Sequence, residues 1–259
     1  MANVQELKQY RNIHLIGIGG TSMSGIAQIL KHWGYNVTGS DANASDNTEK
    51  LINNKIYVTI GSDPSILNNV DLVIYSAAIH DTDPELSRAR ELGIPTIERG
   101  PFLGQLTHSF RNTISISGTH GKSTTSAMVS MCFIEAKQDP TIQIGANIPA
   151  INGNYRLGNS ENFIIESCEY ADSFLSFAPK AEIILNIDND HLDYFKNLDN
   201  IKAAFVKFVK LLPDDGILVY NADDENCSHI SKNTKAKSIT FGLKNKSANF
   251  IAKNISYDK

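Results

Sequence analysis

The amino-acid sequence predicts an α/β protein with two parallel-sheet domains, and three observations support that class. Short β-branched runs alternate with helical patterns along most of the chain, an order typical of parallel α/β architecture rather than of a sandwich. Two of these runs pass directly into a glycine-containing turn and then a helix. The length of 259 residues, of which 41% are hydrophobic, also suffices for two hydrophobic cores.

The first predicted domain covers residues 1–109 and begins with a buried strand from Asn12 to Ile18. The glycines that follow lead into a helix with apolar residues at helical spacing, and Gly34 closes it where a left-handed cap is common. A strand from Asn36 to Ser40 ends at Asp41, and a polar stretch follows it. The remaining predicted elements are a strand at 72–76, a helix from Asp83 to Gly93, a strand at 94–98 and a short helix at 100–109.

The second predicted domain covers residues 110–259 and repeats the opening of the first. A strand from Thr113 to Ser117 runs into a glycine-containing turn, and a helix follows from Lys122 to about Ala136. The boundary between the domains is expected near residues 108–112. Further strands are predicted at 163–166, 182–187 and 216–220, with a helix across 201–212.

Charge and composition exclude several functional classes. The chain has 24 Lys and Arg residues against 28 Asp and Glu residues, a formal net charge of −4, so a basic nucleic-acid-binding face is not expected. No stretch approaches the roughly 18 apolar residues of a membrane span, and the N-terminus lacks the apolar core of a secretory signal, so the prediction is a cytoplasmic protein. Three widely spaced cysteines favour neither a disulfide framework nor a thiolate zinc site.

The first glycine cluster, Gly17 to Ser22, lies between a strand and a helix. Glycines there let the backbone approach a diphosphate, and the helix N-terminus offers free N–H groups to it. The strict dinucleotide fingerprint is not met, because Ser22 occupies its third glycine position, so a diphosphate site and a tight structural turn both stay open. Asp41 is placed to accept hydrogen bonds from a ribose or a base, and its alternatives are a helix cap or a solvated strand end. Small residues at Ser76 to Ala78 leave room for a bulky ligand at the same sheet edge.

The second glycine cluster, Gly118 to Thr124, is the stronger signal. A loop of this type wraps backbone N–H groups around phosphates, Lys122 places a positive charge on the terminal phosphates, and the Ser123 hydroxyl ligates Mg²⁺. The longer form of the motif has a glycine where this sequence has Ile116. A glycine turn with an incidental lysine is the alternative.

Magnesium needs further oxygen ligands, and a phosphate-loop enzyme usually takes a carboxylate from a neighbouring strand end. Glu166 ends an apolar strand and is our first choice, with Glu169 as its competitor and a loop residue or helix cap as the alternative for Glu169. His191, flanked by Asp190 and Asp193 after another apolar strand, is a candidate metal or phosphate ligand, with a structural histidine as the alternative. Asn221 follows a further strand and either contacts an adenine edge or forms an Asn turn.

Taken together, these segments resemble the Mur ligase family, in the branch that adds L-alanine to UDP-N-acetylmuramate in peptidoglycan synthesis. The resemblance covers essentially the whole chain, and the ordered set of motifs is far more specific than any one of them. It departs from the family pattern at Ser123, where threonine is usual, and at Cys168, where an Asp is common. The motifs are HLIGIGGTSMSGIA, VTGSD, YSAAI, ERGPFL, SGTHGKSTT, IIESCEYADSFL, LNIDNDHLDYF and YNADD.

The resemblance implies a Rossmann-like N-terminal domain that binds the UDP-sugar and a P-loop ATPase-type central domain that holds ATP with two Mg²⁺ ions. Lys122 then matches the phosphate-loop lysine, Glu166 the shared carboxylate and His191 a ligand of the second Mg²⁺, while Ser123 ligates the first and Asn221 contacts adenine. The expected ATP contacts are Gly118, Thr119, His120, Gly121, Lys122, Ser123, Thr124 and Asn221. The expected UDP-sugar contacts are Gly17, Gly19, Gly20, Thr21, Ser22, Asp41, Ser76, Ala77 and Arg99.

The implied reaction is an amide ligation through an acyl phosphate, with UDP-N-acetylmuramate and L-alanine as substrates and a homodimer as one candidate assembly. His120 either touches the sugar substrate or shapes its turn, and no residue is an evident base for the alanine amine. The family carries a third, C-terminal domain, so we expect this chain to be a fragment with an incomplete central domain that forms little or no amide alone. The alternatives are a murein peptide ligase of the same family, a nicotinamide-dependent oxidoreductase and a nucleotide-binding module without turnover.

Overall fold

In the computed structural model of the chain, residues 7–256 are described, and they form two compact units. The first unit contains residues 7–109 and 141–159, and the second contains residues 110–140 and 160–256. Both units are built on parallel strands, which confirms the predicted α/β class. The outermost ends of the two predicted domains, at 1–6 and 257–259, lie outside the described residues.

The first unit is a five-stranded parallel sheet in the order β3-β2-β1-β4-β5, the doubly wound order with its crossover beside β1. The register pairs Ile16 of β1 with Ser40 of β2 and with Tyr75 of β4, so these strand ends form one carboxyl edge. The elements are β1 (Asn12–Ile16), α1 (Thr21–His32), β2 (Asn36–Asp41), α2 (Asp46–Asn53), β3 (Tyr57–Ile60), a 3₁₀ turn (Pro64–Asn69), β4 (Leu72–Tyr75), α3 (Pro84–Glu91), β5 (Thr96–Glu98) and α4 (Arg99–Thr107).

The polar stretch after Asp41 contains α2 and β3, which the sequence pattern did not predict. Only two residues of α2, Thr48 and Leu51, are buried, so the helix has almost no apolar period to detect. A capping box starts it: the Ser45 hydroxyl accepts from the backbone N–H of Thr48, and the Thr48 side chain accepts from the N–H of Ser45. Local capping and tertiary contact therefore define this helix more than its hydrophobicity does.

A hairpin of β7 (Thr141–Ile148) and β8 (Gly153–Arg156) belongs to the first unit. It packs against α1, where the Asn154 side-chain amide donates to the backbone carbonyl of Thr21 at 2.7 Å. Gly25 of α1 makes this approach possible, because a Cβ there would lie 2.0 Å from Oε1 of Gln143. Such a contact joins segments more than a hundred residues apart, and no local pattern predicts it.

In the second unit the parallel strands follow the order β13-β12-β11-β10-β6-β9. An apolar cluster packs around the helix Leu198–Val209, where Phe174 stacks on Phe208 with ring centroids 4.3 Å apart. No helix within residues 7–256 is both long and apolar enough to cross a membrane. The elements are β6 (Asn112–Ser117), α5 (Lys122–Glu135), β9 (Asn162–Glu166), β10 (Ala181–Ile184), α6 (Leu192–Phe195), α7 (Leu198–Val209), β11 (Ile217–Asn221), α8 (Glu225–Ile230), β12 (Lys237–Gly242) and β13 (Phe250–Ile251), with 3₁₀ segments at Tyr170–Ser176 and Ser231–Asn233. The 3₁₀ segment Pro149–Ile151 lies between β7 and β8 in the first unit.

Candidate functional site

The glycine loop of the second unit connects β6 to α5 in a conformation that requires glycine. Gly118 has φ 136° and Gly121 has φ 84°, both in the region that side chains rarely adopt. A Cβ on Gly118 would also lie 3.1 Å from the backbone nitrogen and oxygen of Asn186. Asn186 clamps the loop, since its side chain accepts from the N–H of His120 at 2.7 Å and donates to the carbonyl of His120 at 3.0 Å. The sequence analysis missed this residue.

Lys122, at the first position of α5, folds back over the loop. Its Nζ donates to the carbonyl oxygens of Gly118 and Thr119 at 2.6 and 3.1 Å, and it pairs with Glu169 at 3.0 Å. The two side chains are only 13% and 2% exposed, so water screens the pair weakly. The Lys122 ammonium is therefore held at the loop by Glu169 and the loop carbonyls before any phosphate binds.

Ser123 and Glu166 come together as the sequence analysis expected of a metal site. The Ser123 hydroxyl donates to Oε1 of Glu166 at 3.1 Å. The strand register explains the meeting, because Glu166 at the end of β9 pairs with Ile116 near the end of β6. Thr124, one residue further along α5, is exposed.

A second group of ligand atoms lies beside Lys122. Glu169, Asp190 and His191 each offer one atom, and these atoms lie within 4.8 Å of one another. Glu169 is therefore a member of the site together with Glu166, each with its own partners. Asp190 was noted in the sequence only as a neighbour of His191, and its carboxylate accepts from the backbone N–H of His191 at 2.7 Å. His191 itself has a left-handed backbone, with φ 50°.

The loops that carry Glu169 and His191 are tied to each other by reciprocal hydrogen bonds. The Tyr170 hydroxyl donates to Asp193 at 3.2 Å, and the Tyr194 hydroxyl donates to Asp172 at 3.0 Å. The ring of Tyr170 also lies against His191, with ring centroids 4.8 Å apart. The charge of Asp193 raises the pKa of Tyr170, so this phenol stays a hydrogen-bond donor.

The donor set fits Mg²⁺. Hydroxyl and carboxylate oxygens are the ligands that this ion prefers, and it is commonly held by one or two carboxylates together with substrate phosphates. Ser123 and Glu166 form one pair of candidate ligands, and Glu169, Asp190 and His191 form a second group.

Asn221 ends β11 close to a cavity of about 370 Å³ that is lined by His120, Asn186, Asp188 and other residues. Its side-chain oxygen accepts from the N–H of Asp223 at 3.0 Å, which is the Asn turn named as the alternative to an adenine contact. The side-chain amide nitrogen has no such bond within residues 7–256. One half of the carboxamide thus shapes the turn and the other half faces no protein acceptor.

The glycine turn of the first unit uses most of its own N–H groups internally. Gly17 and Ile18 both donate to the carbonyl of Ser40, at 2.8 and 2.9 Å, and Gly19 donates to Oδ2 of Asp41 at 2.9 Å. The first-turn N–H groups of α1 differ, because in the described part of the chain those of Thr21, Ser22 and Met23 have no hydrogen-bond partner. The helix N-terminus, rather than the glycine amides, is the part of this turn that is open to an anion.

A cavity of about 600 Å³ lies at the carboxyl edge of the first sheet. It brings together four of the residues that the sequence analysis selected, namely Gly17, Gly20, Asp41 and Ser76. The other five, Gly19, Thr21, Ser22, Ala77 and Arg99, do not line it. The cavity also includes a residue that the sequence analysis did not single out, Glu85 near the start of α3. Its only sequence signal was its position after Asp83 and Pro84 at a helix start.

Two protein-family models match this chain, one in each half. The family model described as Mur ligase family, catalytic domain, matches residues 12–111, and the model described as Mur ligase middle domain matches residues 116–259. A UDP-N-acetylmuramate--L-alanine ligase of Clostridium novyi (strain NT) is 48% identical over 96% of this chain and 54% of its own length.

Two solved structures are similar as well. A UDP-N-acetylmuramate-alanine ligase from Thermotoga maritima aligns with TM-score 0.80 and 31% identity, over 91% of this chain and 53% of the other. A UDP-N-acetylmuramate:L-alanyl-gamma-D-glutamyl-meso-diaminopimelate ligase from Neisseria meningitides aligns with TM-score 0.80 and 26% identity, over 89% of this chain and 78% of the other. The chain spans about half the length of the curated relatives it matches.

Proposed function

Because the chain belongs to the Mur ligase family, we propose that it is the nucleotide-binding part of an ATP-dependent ligase that joins L-alanine to the lactyl carboxylate of UDP-N-acetylmuramate. The relatives of 43 to 48% identity that carry the corresponding name support the choice of substrates. One observation carries the proposal: Lys122, at the end of the glycine loop, forms an ion pair with Glu169. The hydrogen-bonded Ser123 and Glu166 lie next to it in the chain or on the neighbouring strand, and His191 lies near Glu169.

The chemistry follows from the poor reactivity of a carboxylate toward an amine. Transfer of the γ-phosphoryl group of ATP to the lactyl carboxylate makes an acyl phosphate, with ADP as the leaving group. The amine of L-alanine then attacks the acyl carbon, the amide forms, and inorganic phosphate leaves. This reaction needs positioning and charge neutralisation more than covalent help from the protein.

The described residues have separable roles in such a transfer. Lys122 would exchange part of its contact with Glu169 for the terminal phosphates, and the loop N–H groups would hold the inner phosphates. Ser123, Glu166, Glu169, Asp190 and His191 would hold magnesium, which when bound supplies positive charge beside the phosphates. Each of these groups is already placed by strand ends and loop contacts within the second unit.

The first unit would bind the sugar nucleotide. Its cavity collects Gly17, Gly20, Asp41 and Ser76. The first-turn N–H groups of α1, which have no hydrogen-bond partner within residues 7–256, suit a diphosphate. In this assignment the first unit, residues 7–109 and 141–159, serves the UDP-sugar and the second unit, residues 110–140 and 160–256, serves ATP. The reaction takes place in the cytoplasm. Both substrates are anionic. Backbone amides, a lysine and metal ions neutralise their charge locally, so a basic protein surface is not required.

A second candidate has a specific observation in its favour. The ligase from Neisseria meningitides acts, by its name, on a peptide rather than on alanine, and it aligns with the same TM-score as the alanine ligase. Comparing free L-alanine with a tripeptide as acceptor, in the full-length protein, separates the two. A nicotinamide cofactor that binds in place of the UDP-sugar would instead favour an oxidoreductase.

The proposal is tested by titration calorimetry of this chain with UDP-N-acetylmuramate and with Mg²⁺-ATP. Lys122→Ala should abolish ATP turnover in the full-length enzyme and leave sugar-nucleotide binding within about two-fold, because the two ligands use different units. Lys207→Ala, an exposed lysine on α7, is the matched control and should change neither. If Lys122→Ala loses sugar-nucleotide binding as well as ATP turnover, while Lys207→Ala keeps both, the assignment of the two sites is wrong.

A further inference from the structure

Glu85 is a buried carboxylate that the proposed chemistry does not use. Its side chain is 1% exposed, although it borders the cavity of the first unit. Oε1 accepts from the backbone N–H of Asp63 at 2.7 Å. Oε2 accepts from the Ser40 hydroxyl and lies 3.3 Å from Nε2 of His14, which is itself fully buried. Both oxygens are therefore committed within the protein.

These bonds join three segments that border the cavity. His14 lies within β1, Ser40 lies near the end of β2, and Asp63 follows the Gly61–Ser62 turn that lines the cavity after β3. The Ser40 link extends further, because the carbonyl of Ser40 accepts from the N–H groups of both Gly17 and Ile18. One carboxylate is thus connected, through a single residue, to the glycine turn that also lines the cavity.

The charge of Glu85 matters for this arrangement. Burial by itself raises the pKa of a carboxyl group, but the hydrogen bonds from His14, Ser40 and the Asp63 N–H outweigh burial and lower the pKa of Glu85 below its ordinary value. An ionised carboxylate accepts all three bonds at once and makes each of them stronger than a neutral acceptor would. The geometry and the charge state agree.

We propose that Glu85 is a positioning residue for sugar-nucleotide binding, which holds the Gly17 turn and the Gly61–Asp63 segment in the arrangement that receives the ligand. The inference rests on the proposed function for the identity of the ligand, and on the hydrogen bonds for the mechanism. Both carboxyl oxygens of Glu85 accept from groups of the protein, so Glu85 is assigned an indirect role. It acts through Ser40 and Asp63.

Glu85→Gln is the discriminating variant. The amide oxygen keeps the bond from the Asp63 N–H, and the amide nitrogen faces a hydroxyl and an imidazole, both of which can turn or change tautomer to accept. The variant therefore keeps the volume and most of the packing but loses the charge. Glu91→Gln, an exposed residue on the same helix, is the matched control.

Two measurements decide the proposal. Calorimetry with UDP-N-acetylmuramate should give about a ten-fold weaker Kd for Glu85→Gln and an unchanged Kd for Glu91→Gln. Hydrogen exchange measured by mass spectrometry, without ligand, should show faster exchange in Glu85→Gln in peptides covering residues 17–20 and 61–63, while peptides from the remaining strands of the first unit stay protected.

Each outcome has a distinct meaning. Unchanged exchange in both peptides overturns the positioning role, whatever the ligand. Faster exchange throughout the first unit, with an earlier thermal transition of the single tryptophan, Trp33, shows a general loss of stability and also overturns it. If the unmodified chain does not bind UDP-N-acetylmuramate but the exchange pattern is the expected one, the proposed function fails and the positioning role stands.

A second variant tests the route through Ser40. Ser40→Ala removes the hydroxyl that bonds to Glu85 but keeps the carbonyl that accepts from Gly17 and Ile18. Its effect on Kd should be smaller than that of Glu85→Gln, and the double variant should lose less than the product of the two single effects. Fully multiplicative effects would mean that the two residues act independently and would contradict the route.

Discussion

Glu182 should make the stability of the second unit fall with rising pH. It lies in the middle of β10, between Ser115 of β6 and Leu218 of β11, and it is 0% exposed. Within residues 7–256 neither of its carboxyl oxygens has a hydrogen-bond partner. Burial without compensation raises its pKa well above the ordinary value of 4.5, so the native state keeps the proton that the unfolded chain releases.

The sign and size of the pH dependence follow from the difference between the native and the unfolded pKa of Glu182. The stabilising contribution of the protonated carboxyl is complete below pH 4.5 and is lost as the pH rises through the native pKa. Between these two values the native state holds one more proton than the unfolded state. Each pH unit in that window therefore lowers the free energy of unfolding by about 1.4 kcal/mol relative to a group that does not titrate.

Glu182→Gln is the perturbation, because it keeps the size and polarity of the side chain and removes the titration. Urea unfolding at a series of pH values from about 5 to 8, followed by hydrogen exchange of peptides from β10, gives the free energy of unfolding for the unmodified chain and for the variant. Peptides from β1, in the other unit, are the internal reference. The two free energies should diverge with pH by the slope above. Parallel pH profiles would refute the argument that the carboxyl is neutral and uncompensated.

The remaining predictions concern the glycine loop and the buried thiol. Gly118→Ala should weaken Mg²⁺-ATP binding at least about ten-fold in calorimetry, because its φ of 136° and the Asn186 backbone 3.1 Å away both oppose a Cβ; an unchanged affinity would mean that the loop rearranges freely. Cys227 lies in the core of the second unit, where burial raises its pKa, so iodoacetamide should label the exposed Cys132 in the native protein and Cys227 only on unfolding. Mass spectrometry measures the labelling rate of each cysteine, and equal rates for Cys132 and Cys227 in the native protein would contradict the packing of α8.

The order of elements was largely predictable from the sequence, since buried strands such as β1 and β6 contain β-branched residues and are each followed directly by a glycine. Element ends were less predictable: the predicted strand at 182–187 ends at Ile184, because the chain then leaves the sheet and Asn186 bonds to the glycine loop. The helix α2 was missed because its apolar face is small. These differences arise where a tertiary contact outweighs a local pattern.

The sequence by itself determined the chemistry that the protein carries: a glycine loop with Lys122 and Ser123, acidic residues at a strand end, and His191 between two aspartates. Only the tertiary structure decided which carboxylate meets which partner, because strand register and left-handed loop residues set those distances. In the structure Glu166 accepts a hydrogen bond from Ser123. Glu169 forms an ion pair with Lys122 and lies near His191. The tertiary structure also makes Glu85 the centre of a buried network, because that network joins positions 14, 40, 63 and 85, which only the parallel sheet brings together.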